Sequence, residues 1–227
     1  MTERPLAGPA APDQLPAPRA FNGPTEMAVA QAATLFEQLD LERAVATLEP
    51  ALKADPGAIE GWILLARLRL ALDEAGKALD AAERAIAINA ADPRPLALAS
   101  RALTLLGRHE EGVTLAYRAV IAEPRNALWH DRVAWALLAA DRQIADAEQA
   151  ARTAIGFDPT EAHYYYTHGV TLEALGHIDQ ARQALITSLR MEPENPVAQH
   201  RLAVLNGEAE RPAETKKRGW RLFGRKS

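Results

Sequence analysis

Two histidines, His163 and His168, flank the aromatic run Tyr164-Tyr165-Tyr166, and imidazole is the side chain best suited to ligate a metal or move a proton near neutral pH. On a helix a separation of five residues turns two side chains about 140° apart, which is poor geometry for gripping one ion. The favoured reading is therefore a packing cluster with a polar His163 and a hydrogen-bonded inner His168. His109-Glu110-Glu111 begins like a zinc-protease motif, but no second histidine follows at the required spacing. The 227 residues include no cysteine, which excludes thiolate zinc sites, cysteine nucleophiles and redox pairs. Every glycine is isolated, so none builds a phosphate-cradling loop. The expectation is a chain that is not an enzyme, with no catalytic residue, no metal site, no cofactor and no small-molecule substrate.

Charge supplies a second kind of chemistry. The chain holds 26 Lys and Arg against 30 Asp and Glu, a formal net charge of −4. The average conceals a polar distribution, because the last twelve residues carry six basic side chains and no acid, leaving −10 on the rest. In that tail Lys216, Lys217, Arg218, Arg221, Arg225 and Lys226 interleave with Trp220, Leu222 and Phe223. Basic charge beside apolar rings suits an anionic membrane surface, and nucleic acid less well given the acidic remainder. A solvated terminus, or one docked on its own acidic body, is the plain alternative.

These side chains need elements to position them. Six of the fifteen prolines fall within residues 1–24, which reads as a disordered Pro/Ala-rich arm, and prolines and Asp13 interrupt any secretory signal. From Thr25 onward apolar residues recur at three and four spacing with hardly any β-branched alternation, so helices are expected and strands are not. No apolar run approaches the roughly 20 residues that cross a bilayer. A cytoplasmic location is expected, with peripheral membrane contact through the tail left open.

A period organises the helices. Lys53-Ala54-Asp55-Pro56, Ala122-Glu123-Pro124, Phe157-Asp158-Pro159 and Met191-Glu192-Pro193 each close an Ala-rich helix, and Pro159 and Pro193 stand 34 residues apart. The gap from Pro124 to Pro159 is 35, that from Pro56 to Pro124 is 68, and Ala90 stands where the intermediate proline would be. Five units follow, at 25–58, 59–92, 93–126, 127–161 and 162–195. Asn195-Pro196 then starts a capping helix over 196–207 that Gly207 ends, and 208–227 is read as a flexible basic-aromatic tail.

On these residues the chain resembles the tetratricopeptide repeat family. In the second unit Trp62, Leu65, Ala66, Ala78, Ala82 and Ala85 fall at the family's positions, and in the fifth Tyr165, Gly169, Leu172, Gly176, Ala181, Leu185, Ser188 and Pro193 do so. The third contributes Leu96, Gly107, Ala119 and Pro124. The resemblance implies an all-α fold, a right-handed α-solenoid of five helix pairs plus a C-terminal capping helix. Independently, Ala44, Ala78, Ala147 and Ala181 at equivalent positions are what closely packed helices require. Departures are expected to show: Pro50 should remove a hydrogen bond and kink its helix, Ala140 to Ile144 carries an extra residue, and Gly112 replaces an alanine.

The resemblance also implies a function, a non-catalytic scaffold or adaptor that holds a peptide or partner helix along the first helices of its units. Carrying over the groove positions gives Val29, Ala33, Phe36, Ile63, Arg67, Leu70, Arg94, Ala97, Arg101, Thr104, Asp131, Trp135, Leu138, Tyr166, Val170 and Glu173. Of these, Phe36, Arg67, Arg94, Arg101, Trp135 and Tyr166 are the expected partner contacts, suited to acidic and apolar side chains. The family's chaperone-binding members clamp a terminal carboxylate at positions that here hold Val29, Ala33, Leu64, Arg94 and Leu98. Only Arg94 matches. The second function carried forward is a surface-tethered adaptor whose tail binds anionic membrane or nucleic acid.

Overall fold

A computed structural model describes residues 23–209 of the chain, which form eleven α-helices and, among those residues, no strand. The helices are α1 (Pro24–Glu37), α2 (Leu41–Ala54), α3 (Ile59–Ala71), α4 (Ala75–Ile88), α5 (Pro93–Leu105), α6 (His109–Ala122), α7 (Ala127–Ala139), α8 (Ile144–Phe157), α9 (Ala162–Ala174), α10 (Ile178–Met191) and α11 (Pro196–Asn206). Each helix packs on the one before and the one after it, so successive antiparallel pairs stack into an α-solenoid. The odd-numbered helices α1, α3, α5, α7 and α9 also pack on one another, whereas the even-numbered ones do not to the same degree. Such asymmetry curves the stack and puts the odd-numbered helices on the concave side.

The close approach inside each pair rests on one small residue. Ala44, Ala78, Ala147 and Ala181 are completely buried. At the fifth equivalent position Gly112 stands for a reason: an added Cβ would lie 3.0 Å from Thr104 Oγ1 and 3.1 Å from the Ser100 carbonyl oxygen. Ser100 uses the space to donate its hydroxyl proton to the Gly112 carbonyl at 2.7 Å, so α5 and α6 are joined by a buried hydrogen bond as well as by packing.

Turns repeat as faithfully as the core. Within each pair one residue adopts a left-handed conformation, at Leu39, Asp73, Gly107, Asp141 and Gly176, and the N–H of the next residue returns to a carbonyl five residues back. The extra residue of the fourth unit lies here, where Gln143 takes a second left-handed conformation before α8. Between pairs, side chains six residues beyond the recurrent prolines reach back to their carbonyls: Trp62 Nε1 donates to Pro56 at 2.9 Å, the Tyr165 hydroxyl to Pro159 at 3.2 Å and Gln199 Nε2 to Pro193 at 2.6 Å. His130 Nε2 lies 2.8 Å from the Pro124 carbonyl oxygen. Asp92, Asn126, Glu161 and Asn195 cap α5, α7, α9 and α11 by accepting backbone N–H groups.

Pro50 removes one hydrogen bond from α2, as expected, without ending the helix. Helix α2 continues through it as an α-helix to Ala54. Both Pro50 and Ala46, whose carbonyl loses its N–H partner, are exposed, so water can satisfy that carbonyl and the turn survives. The capping helix α11 begins under Asn195, which accepts from Val197 and Ala198, and stops at left-handed Gly207.

Two substitutions test this packing by chemical denaturation of the full chain. Gly112→Ala should lower stability by about 1 kcal/mol or more, the clash outweighing a helix-propensity gain of similar size. Leu39→Gly should raise it by about 0.5 kcal/mol, since an exposed leucine is held at a φ of 61° that glycine adopts freely.

Candidate functional site

The expected groove positions are equivalent positions on successive first helices. One row runs Ala33, Arg67, Arg101, Trp135 and Val170, and the row beside it runs Val29, Ile63, Ala97, Asp131 and Tyr166. The sequence-derived contacts fall into three groups along it.

At the N-terminal end Arg67 is exposed, and its guanidinium carbon lies 5.0 Å from the centroid of the half-buried Phe36 ring. Arg94 occupies a different environment. Its guanidinium donates to Asp92 at 2.7 Å and to both carboxylate oxygens of Glu60 at 2.8 and 2.9 Å. The hydrogen bonds it donates to Asp92, then Glu60, hold its proton more firmly than usual, and those to Asp92 hold that carboxyl below the usual range. Arg94 thus ties α3 to α5, and its donors are already engaged.

At the C-terminal end three rings stack: Trp135 with His163 at 6.1 Å, Trp135 with Tyr166 at 6.2 Å and His163 with Tyr166 at 6.3 Å between centroids. Arg201 of α11 lies over the Tyr166 ring at 5.9 Å. Trp135 is left 8% exposed and Tyr166 2%, so these aromatics wall the groove rather than present themselves to a partner. Burial, reinforced by Glu173 against the pull of Arg201, pushes the Tyr166 phenol up to about 12.

Beneath the rings sits Asp131, wholly buried on α7. Thr167 of α9 donates to its Oδ1 at 2.6 Å, while Oδ2 lies 3.4 Å from His163 Nε2 and 4.0 Å from Arg132 and takes no hydrogen bond among the described residues. Burial pushes this carboxyl up, but His163, Arg132 and Thr167 together outweigh it, and the group is held below the usual carboxylate range. His163 Nε2 also faces Trp135 Nε1 at 3.3 Å. That nitrogen can accept from the indole or, when protonated, face Asp131 as a donor, but not both. His168, turned away on the same helix, meets Glu148 at 3.0 Å.

Between the two ends stands Arg101, half-buried on α5. It has no hydrogen bond or ion pair among the described residues. Burial first, and Arg132 second, push its guanidinium down to about 10 against the attraction of Asp73. Arg132, one turn before Trp135 on α7, is a second arginine that was not among the expected contacts; its equivalents Leu64 and Leu98 are apolar. A basic residue breaking an apolar row was the available signal.

Lys216, Lys217, Arg218, Trp220, Arg221, Phe223, Arg225 and Lys226 lie outside the described residues. Among the described residues no helix is long and apolar enough to cross a membrane, and no three His, Asp or Glu side chains are gathered where they could hold a metal ion.

Residues 162–195, which span α9 and α10, match the family model for the tetratricopeptide repeat. No curated protein matches the chain. Among solved structures, the chain is similar to TTC0263, a thermophilic tetratricopeptide-repeat protein of Thermus thermophilus, with a TM-score of 0.71 and 19% identity over 80% of this chain and 98% of that one. PilW, a type IV pilus biogenesis factor, gives a TM-score of 0.70 and 18% identity over 82% of this chain and 87% of that one. YrrB, a repeat protein with an unusual peptide-binding site, gives 0.57 and 19% over 80% and 91%.

Asp131 sets a pH dependence whose sign follows from its depressed folded value. The stabilisation is present above the ordinary carboxylate pKa of about 3.9 and is lost as pH falls through the folded value. Unfolding of Asp131→Asn should therefore show a lower stability than wild type at pH 7, by about 1 to 3 kcal/mol, with the gap narrowing below about pH 4. Parallel pH profiles of the two proteins would contradict this.

Proposed function

We propose that this tetratricopeptide-repeat solenoid is a protein-interaction scaffold that holds a segment of a partner protein along the concave face of α1, α3, α5 and α7. The observation that carries the reading is the row in which Arg67 and Arg101 occupy the same register on successive helices, with Phe36 at one end and the Trp135 wall at the other. Arginine and aromatic side chains concentrate binding energy at protein interfaces, because they combine large apolar contact with directional hydrogen bonds. Helix pairs joined by repeated caps and turns hold these side chains at fixed spacing before any partner arrives, which reduces the ordering cost of association. The peptide-binding site named for YrrB, which shares this fold, is consistent with such use.

The test is capture of partners from the native cell with the full chain. Arg67→Glu, on an exposed side chain, should lower recovery of the principal partner about 30-fold with an unchanged melting temperature, the loss expected of a hot spot. Ile121→Asp, on the exposed side of α6, should leave recovery intact. The opposite pattern would move the interface to the second helices, and loss only from a chain ending at Gly207 would assign the partner to the tail.

A further inference from the structure

We infer that Arg101 and Arg132 form an anion subsite in the groove that receives an acidic side chain, Asp or Glu, of the partner segment. The inference rests on the groove reading above and adds the chemistry of what the groove selects.

Three features of the concave face carry it. The first is an imbalance of charge. Arg101 is half-buried without a hydrogen bond or ion pair among the described residues, whereas Arg69 meets Glu49 and Glu74, and Arg94 is saturated by Asp92 and Glu60. A guanidinium withdrawn from water and left without a counter-charge is costly, and a leucine or methionine would serve packing better at that position. The second is what lies beside it. Arg132, only 21% exposed, stands one turn before Trp135 on α7, the helix that packs on the α5 of Arg101, and is held by Asp131 at no better than 4.0 Å; its charge adds to the push on the Arg101 guanidinium. Asp131 cannot neutralise both, since it is sunk beneath the rings with Oδ1 occupied by Thr167 and Oδ2 facing His163. Asp73, at the α3–α4 turn, attracts Arg101 without making an ion pair.

The third feature is the register. Arg67, one unit earlier on the same row, has the Phe36 ring to lie over. The residue that would play that part for Arg101 is Leu70, which is buried and offers no π face. Arg101 is left with its fork of N–H donors uncommitted, flanked along the row by Arg67 and by the Trp135 wall. A carboxylate entering from the concave side would accept two parallel hydrogen bonds from one guanidinium and relieve the repulsion between two. The occupant is thus an acidic residue within a segment whose neighbouring side chains are apolar enough to lie against Phe36 and the wall.

Selection of random twelve-residue peptides, displayed on phage, against the immobilised full chain tests the inference. Peptides that compete with one another and lose binding to Arg67→Glu define groove ligands, and these should carry Asp or Glu at a fixed distance from an apolar residue. A synthetic copy of the best peptide with that acid changed to its amide should bind wild type at least tenfold more weakly. Against Arg101→Gln the acid and amide forms should bind alike. Arg101→Gln should also melt no lower than wild type, because it removes an uncompensated charge. Groove ligands without an acid, or an acid-to-amide loss of the same size on Arg101→Gln, would overturn the subsite and leave the groove reading standing. Peptides insensitive to Arg67→Glu and to Arg101→Gln would overturn both.

Discussion

The distance between paired helices is set by the absence of side-chain atoms at one position per unit. Ala44, Ala78, Gly112, Ala147 and Ala181 close that contact, and nothing larger would allow it. Because the first helices also pack on one another while the second helices spread, a small residue on the inside of each pair becomes curvature of the whole stack. A concave face follows, and with it the rows of side chains that share a register. The proposed groove is thereby coupled to packing: a change of one methyl group at Gly112 acts on the α5 helix that carries Arg101.

Along that face the molecule has already spent most of its charged groups on itself. Arg94 ties two units together, Asp131 is buried under a stack of three rings, and Arg201 of the last helix lies over Tyr166. Such self-contacts make the C-terminal part of the groove a rigid wall. Arg101, beside that wall, makes no hydrogen bond or ion pair among the described residues, and a half-buried charge left so is a place where a ligand supplies what the fold lacks.

The repeat architecture was legible in the sequence because each recurring position draws on a short list of residue types. Close contacts demand alanine or glycine, left-handed turns favour glycine or aspartate, and the recurrent prolines stop one helix and offer a carbonyl to the next. Pro50 costs α2 a backbone hydrogen bond, as its lack of an N–H requires, and the helix still runs on to Ala54 because the freed carbonyl faces water. The groove was legible by register and illegible by state. Arg94 was a plausible contact until its bonds to Glu60 and Asp92 were visible, although Glu60 stands 34 residues earlier, at the equivalent place in the preceding unit. Trp135 and Tyr166 were expected as partner contacts, but both are buried, through side-chain orientations involving His163 and Arg201 that spacing does not encode.

Amide hydrogen exchange on the full chain, free and saturated with a captured partner, tests the central claim most directly, since it reports which helices a bound segment covers without altering any residue. Slowed exchange concentrated in α3, α5 and α7, the helices that carry Arg67, Arg101 and Arg132, is the predicted result. Protection confined to the even-numbered helices, with those three unchanged, would contradict the account.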